Sequence, residues 1–380
     1  LDGLAIPAGK LGIGKYTVKV QLWDSSDASQ TPVNQEIPLR IAPPAVAFIV
    51  GINYYYEASG QPPLQHAADD AMALRSKLIA KGYAPENIVY VTGRNDTGTP
   101  EVRTNGLQNP KSETPNDLSE VRRTGQLNGL ARKRYVDTAF EAFLNVVRTR
   151  QAAHALVFFA GHGSNVAASL EGGRAAFNVD HLIMADDEPS APAKTYVYHW
   201  PNMIKKSVSW GSRESPVTIM CVYDACRNGT RAVFDALPPE LRSDDGAVVA
   251  SALFSCRKGE QANENITSDP KLAIAYDGET FQNGFFTYAL LKSLDELPAA
   301  GARLPDVIDK AETVLSKLVQ QTPEKNRMAS GPAKPYSERQ SLRPKDDLKR
   351  WEEGLYVIYP VERSGVGSGI LRVTLARPAR

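Results

Sequence analysis

Four unbroken apolar runs constrain this chain more than any other feature: VAFIVGI (46–52), HALVFFAGHG (154–163), VTIMCVYDAC (217–226) and AVVASALFSC (247–256). None alternates with polar residues, so each predicts a strand buried on both faces, as in a parallel sheet covered by helices on either side. The segments between them carry apolar residues at helical spacing: PLQHAADDAMALRSKLIAKGY (63–83), RYVDTAFEAFLNVVRT (134–149), a short helix within 196–209, NGFFTYALLKSLDEL (283–297) and PDVIDKAETVLSKLVQQ (305–321). ENIVYVT (86–92) adds a strand, and GLYVIYP (354–360) and GILRVTLA (369–376) read as closing strands. Strands alternating with helices predict an α/β fold, a mostly parallel sheet flanked by helices on both faces. Residues 93–133 are polar, hold the basic cluster VRR (121–123) and run into ARKR (131–134), and read as a long exposed insertion. Residues 164–195 read as a loop.

The first 45 residues have a different texture. GKYTVKVQLWD (14–24) alternates apolar and polar positions, SSDASQTPVN forms a turn, and QEIPLRIAP (35–43) returns as a second strand. Two strands alone are marginal in water, so this segment reads as the end of a truncated β-sandwich or as strands added to the main sheet. The expected organisation is a β-rich segment over 1–45, a main domain over 46–362 with a break between about 240 and 246, and a closing strand or tail over 363–380. The chain begins LDGLAIP, without Met and without a signal-like pattern, and reads as a fragment or processed product.

Composition narrows the function. A net charge of +1 argues against nucleic acid or an anionic membrane as the main partner. No apolar run approaches the ~20 residues of a membrane span, and a soluble chain with a cytoplasmic location is favoured. Three cysteines, Cys221, Cys226 and Cys256, cannot all pair and show no CxxC spacing. A free thiol is therefore expected.

Two strand ends carry chemistry. FFAGHGS (158–164) delivers His162 between two glycines, and VYDACRNG (222–229) delivers Cys226 where a strand breaks into a polar turn. Ligands in open parallel sheets sit beyond the carboxyl ends of the strands, so neighbouring strands would present both residues at one edge. The pair suits a thiol nucleophile with a histidine base, with the Gly163 and Cys226 amides facing a developing oxyanion. The competing reading of any lone strand-end cysteine is a small buried hydrophobe, which is preferred for Cys221 and Cys256.

The GHG and DACRNG strand ends together resemble the caspase-like fold of clan CD cysteine peptidases, in the metacaspase and bacterial caspase-homologue branch. VAFIVGINYYY, LQHAADDAMAL and SALFSCRKGEQANE followed by NGFFTYALLKSL extend the likeness over about 46–300. The resemblance implies His162 as base, Cys226 as nucleophile, a thioester acyl-enzyme, no metal or organic cofactor, and a role in a regulated proteolytic, defence or cell-death-like response. Asp224, two residues before the thiol, is expected to attract a cationic side chain at P1, the substrate residue preceding the cleaved bond. Asp70 falls on the family's second acidic pocket position. A protein or peptide substrate cut after Arg, then Lys, follows, since a guanidinium would pair an otherwise uncompensated carboxylate. For Asp69 and Asp70 the alternative is a helix N-terminus that favours acids. Ala160 stands where the family has serine. Asp180, Asp186 and Asp187 are candidate calcium ligands, but Val233 occupies the place of the last one, so solvated acidic residues are the preferred reading and no metal is assigned. The basic clusters are either solvated or a self-processing site. A silent or latent caspase-like binding module, awaiting an activating protein partner or cleavage, is the competing function.

Overall fold

The structure is a computed structural model and describes residues 14–23, 33–41, 44–56, 59–93, 126–128, 131–168, 177–187, 195–197, 199–212, 217–226, 247–255, 262, 264–265, 274–296, 304–321 and 369–376. The chain divides into two compact units, one of residues 1–44 and 360–380, the other of 45–359.

In the first unit, β1 (Gly14–Trp23) pairs antiparallel with β2 (Val33–Ile41), Gly14 opposite Ile41 and Leu22 opposite Val33. Pro38 lies in β2, an edge strand, where a missing N–H is tolerated.

The second unit runs β3 (Ala45–Ile52), α1 (Ala67–Ala80), β4 (Ile88–Gly93), β5 (Gln126–Asn128), α2 (Lys133–Arg150), β6 (His154–Ala160), β7 (Gly163–Ala168), β8 (Phe177–Leu182), β9 (Thr195–Tyr196), α3 (His199–Ser207), β10 (Val217–Asp224), β11 (Val248–Phe254), β12 (Ala275–Tyr276), β13 (Glu279–Thr280), α4 (Phe285–Glu296) and α5 (Leu304–Gln321). Six strands form one sheet in the order β11-β10-β6-β3-β4-β5, and every neighbouring pair is parallel. The expected α/β sheet is therefore present. Its strands are buried on both faces, as their unbroken apolar runs require. Ile49, Phe158 and Val222 pack with Leu74 of α1, Phe286 of α4 and Leu318 of α5. On the opposite face Phe48, Phe159 and Cys221 pack with Phe140 of α2 and Trp200 of α3. Phe48 and Trp200 meet edge-to-face, ring centroids 5.2 Å apart, a favoured aromatic geometry.

Several sequence expectations change. The final strand, β14 (Gly369–Ala376), does not close the main sheet. It pairs parallel with β1, Tyr16 opposite Gly369, so that the described residues of the first unit form a three-stranded sheet. The same finding corrects the idea that β1 and β2 are strands added to the main sheet. Residues 164–195 are not a plain loop, because β7, β8 and β9 form an antiparallel sheet there. The small residues of GSNVAA gave no apolar periodicity by which to find it. The polar insertion contributes β5 to the sheet edge, and ARKR is no exposed loop. Ala131 is buried, Lys133 opens α2 and pairs with Asp137 at 2.6 Å, and Arg132 stacks over the Tyr56 ring. VRR (121–123) and GLYVIYP (354–360) lie outside the described residues. Among the described residues, no helix is long and apolar enough to cross a membrane.

Candidate active site

β6 and β10 are neighbours, Asp224 in register with Ala160. Their carboxyl ends therefore deliver His162 and Cys226 to the same edge of the sheet. The two loops touch: a Cβ on Gly163 would stand 2.5 Å from the Cys226 carbonyl oxygen and 3.0 Å from Ala225 Cβ. Only a glycine lets the backbone after His162 lie this close to the thiol-bearing turn. Gly161 also donates its amide to the Asp224 carbonyl at 3.1 Å.

His162 is held on two sides. Its amide donates to the Tyr55 hydroxyl at 2.7 Å, and the two rings lie 4.8 Å apart between centroids. Its Nε2 lies 2.7 Å from the Pro62 carbonyl. A carbonyl only accepts, so Nε2 carries the proton, and in the neutral ring Nδ1 is the nitrogen left to take one. Burial lowers the imidazole pKa below its ordinary value, against a smaller rise from the Pro62 carbonyl. Cys226 Sγ lies 3.9 Å from the Ala262 carbonyl. Burial raises its thiol pKa, with a smaller rise from the Asp224 and Glu264 charges. Both shifts favour a resting pair of neutral thiol and neutral imidazole. Cys221 is buried inside β10 with its thiol pushed up to about 12 and is inert packing. Cys256 lies outside the described residues.

Asp224 continues the face of β10 that carries Met220 and Val222, toward α1 and α4. It is buried but not uncompensated, which corrects the expectation that only a substrate could pair it. Its Oδ2 accepts from the Thr287 amide at 3.2 Å and the Thr287 hydroxyl at 2.7 Å, in the first turn of α4. Burial still lifts its carboxyl to about 6. Asp70, also buried, accepts from Asn283 Nδ2 at 2.8 Å and from the Gly284 amide at 3.1 Å. Burial, and after it the Asp224 charge, lifts Asp70 well above its ordinary value. The two aspartates that sequence reasoning set 154 positions apart are thus brought together electrostatically. Asp69 is half-exposed at the start of α1 and lies 3.7 Å from His66.

Sequence reasoning missed Tyr55, Pro62 and Glu264. Glu264 acts electrostatically on Asp70, Asp224 and Cys226. It gave no signal beyond its place in SALFSCRKGEQANE, because its role depends on contacts with residues almost 200 positions away.

Of the candidate calcium ligands, the side chains of Asp186 and Asp187 are among the described residues. Asp186 Oδ1 accepts the Lys133 amide at 2.6 Å and Asp187 Oδ2 the Met184 amide at 2.8 Å. Among the described residues, no three metal-ligating side chains converge. The Asp180 side chain and Val233 lie outside the described residues.

A family model described as the caspase domain of peptidase family C14 matches residues 44–341. No curated protein matches the chain. A crystal structure of a Geobacter sulfurreducens protein is similar over 79% of this chain and 98% of that one, at 13% identity and a TM-score of 0.36.

Proposed function

The chain belongs to the caspase-domain family of cysteine peptidases, and from that premise we propose that it is an endopeptidase that cuts proteins after Arg, and less readily after Lys, with Cys226 as nucleophile and His162 as base. The observation that carries the reading is the pairing of β6 with β10, whose adjacent ends bear the two residues. Family likeness further suggests the metacaspase-type branch and a role in a regulated proteolytic response.

In this reading the neutral pair reacts by general base catalysis. As Sγ bonds to the scissile carbonyl carbon, the thiol proton passes to His162 Nδ1. The Gly163 and Cys226 amides stabilise the oxyanion. The C–N bond then breaks, the imidazolium proton goes to the leaving amine, and a thioester remains. Water, deprotonated by His162, attacks the thioester and restores the thiol. No step is routed through a metal.

Two buried carboxylates support the basic P1 preference. Asp224 sits close enough for its charge to raise Asp70, and a single guanidinium would relieve both. Fluorogenic peptides differing only at P1, as Arg, Lys, citrulline and Asp, test it. Turnover in the order Arg, Lys, then citrulline is expected, with none for Asp. Preference for Asp or equality of Arg with citrulline would reject the pocket assignment. A protein that turns over none of them and is not labelled at Cys226 by a peptidyl-arginyl electrophile would favour the silent binding module.

A further inference from the structure

Two segments far apart in the chain each touch one member of the dyad. The stretch from Pro62 to His66 leads into α1 and carries the carbonyl that receives His162 Nε2. The stretch from Ala262 to Asn265 carries the carbonyl beside Cys226 Sγ. Glu264 joins them. Its Oε2 accepts the Gln65 amide at 3.0 Å and its Oε1 the His66 amide at 3.1 Å. His66 Nε2 returns a hydrogen bond to the Asn265 carbonyl at 2.7 Å.

Each segment is anchored independently behind this joint. The Asn53 carbonyl accepts the Leu64 amide at 2.8 Å, and its side chain accepts the Ala68 amide at 2.7 Å and donates to the Gln65 carbonyl at 3.1 Å. Asn265 is fully buried. It accepts the Ile274 amide at 2.8 Å and donates to the Ile274 and Phe281 carbonyls at 3.0 and 2.8 Å. The cap residue of α1, His66, makes no side-chain cap of its own; Glu264 accepts the amides of His66 and of Gln65 before it, and Asn53 Oδ1 accepts that of Ala68 in the first turn. Both Glu264 oxygens are engaged by backbone amides of the segment that leads into α1.

We propose, on the reading of His162 and Cys226 as a dyad, that Glu264 is a positioning residue. It fixes the segment that orients His162 to the segment that lies against Cys226, so that base and nucleophile are set in place together. Removing it leaves both catalytic groups intact and each segment on its own anchor, but unties one segment from the other, so that the Pro62 carbonyl, and with it the proton-accepting nitrogen of His162, loses its register to Cys226. A misplacement of this kind far from the reacting atoms costs rate rather than binding.

The test uses iodoacetamide, which alkylates a thiol without occupying any P1 pocket, on the full chain. The rate at Cys226 is read by peptide mass spectrometry across pH, for wild type and for His162→Ala, Glu264→Ala and Glu264→Gln, with Tm recorded for each. Wild type is expected to react faster than His162→Ala. Glu264→Ala is expected to slow about tenfold and to move its pH profile toward that of His162→Ala. With a P1-Arg peptide, kcat is expected to fall and KM to stay near wild type. Should Glu264→Ala fail to fold, the isosteric Glu264→Gln, which loses one of the two amide bonds, is read by the same criteria. Wild-type rate and pH profile in the Glu264 variants would overturn the proposal, as would a rise in KM alone. Identical wild-type and His162→Ala profiles would instead overturn the dyad reading, and the proposal with it.

Discussion

Asp224 holds a buried carboxyl lifted to about 6 while Thr287 donates twice to one of its oxygens. A folded-state pKa above the unfolded value means that the native state binds the proton more tightly. Its contribution to stability is then full below the unfolded value near ~3.9 and is lost as pH rises through about 6. The shift from 3.8 corresponds to on the order of 3 kcal/mol favouring the protonated form. Asp224→Asn keeps an oxygen for Thr287 and removes the charge. At pH 7.5 it is expected to melt no lower than wild type, yet to lose about 30-fold or more in kcat/KM for a P1-Arg peptide. In wild type, the preference for Arg over citrulline should decline as pH falls through about 6, and the variant should show no such decline. A Tm drop in Asp224→Asn without loss of Arg preference would make Asp224 an anchor of α4 alone. At this scale the sequence was most legible where a polar residue interrupts an apolar run, as at His162, Asp224 and Cys226. Pro62 acts through a backbone carbonyl that any residue supplies, so no sequence pattern could have revealed it.

At the scale of elements, what assembles the site is the parallel register of β6 on β10 and the close approach of the turns that follow them. The buried strands were legible, because a strand covered on both faces admits almost nothing polar. β7 to β9 were not, because the sheet they form depends on backbone pairing between segments of ordinary loop composition. Two glycines separate packing from function here. A Cβ at Gly51 would stand 2.3 Å from the Ala67 carbonyl oxygen and 2.7 Å from Ala71 Cβ, so β3 and α1 would have to part. Gly51→Ala is expected to cost about 1–3 kcal/mol of stability, as overpacking generally does, and to lower Tm in thermal denaturation. A Cβ at Gly163 would instead meet the Cys226 carbonyl oxygen at 2.5 Å, at the sheet edge where both residues are half-buried. Gly163→Ala is expected to leave Tm within a few degrees of wild type and to lower kcat/KM about 100-fold, because it moves the thiol relative to His162. Full activity in Gly163→Ala would show that the two turns do not set the geometry of the reaction.

Across the whole molecule, the chain divides after residue 44, and the strand that pairs with β1 on the side away from β2 comes from the far end of the chain. GILRVTLA has the composition of any half-buried strand, and nothing in it states which sheet it joins. A strand that pairs with another some 350 positions away is legible only in the fold. The described residues of the first unit form a three-stranded sheet with β1 at its centre, whereas those of the second include a six-stranded sheet covered on both faces. Small sheets with little to bury sit at the margin of stability. Neither sheet takes a strand from the other, so their hydrogen-bond ladders can be disrupted separately. Thr17 lies in the middle of β1, opposite Pro38 on one side and Ile370 on the other. A proline there removes an amide from the central strand and clashes with its neighbours. In hydrogen exchange read by mass spectrometry, Thr17→Pro is expected to abolish protection over 14–23, 33–41 and 369–376. Protection over 45–52, 154–160 and 217–224 should stay at the wild-type level, and so should cleavage of a P1-Arg peptide. Loss of that cleavage with the second set of strands still protected would mean that the small sheet takes part in the reaction, and would move the search for an activating signal to the first unit.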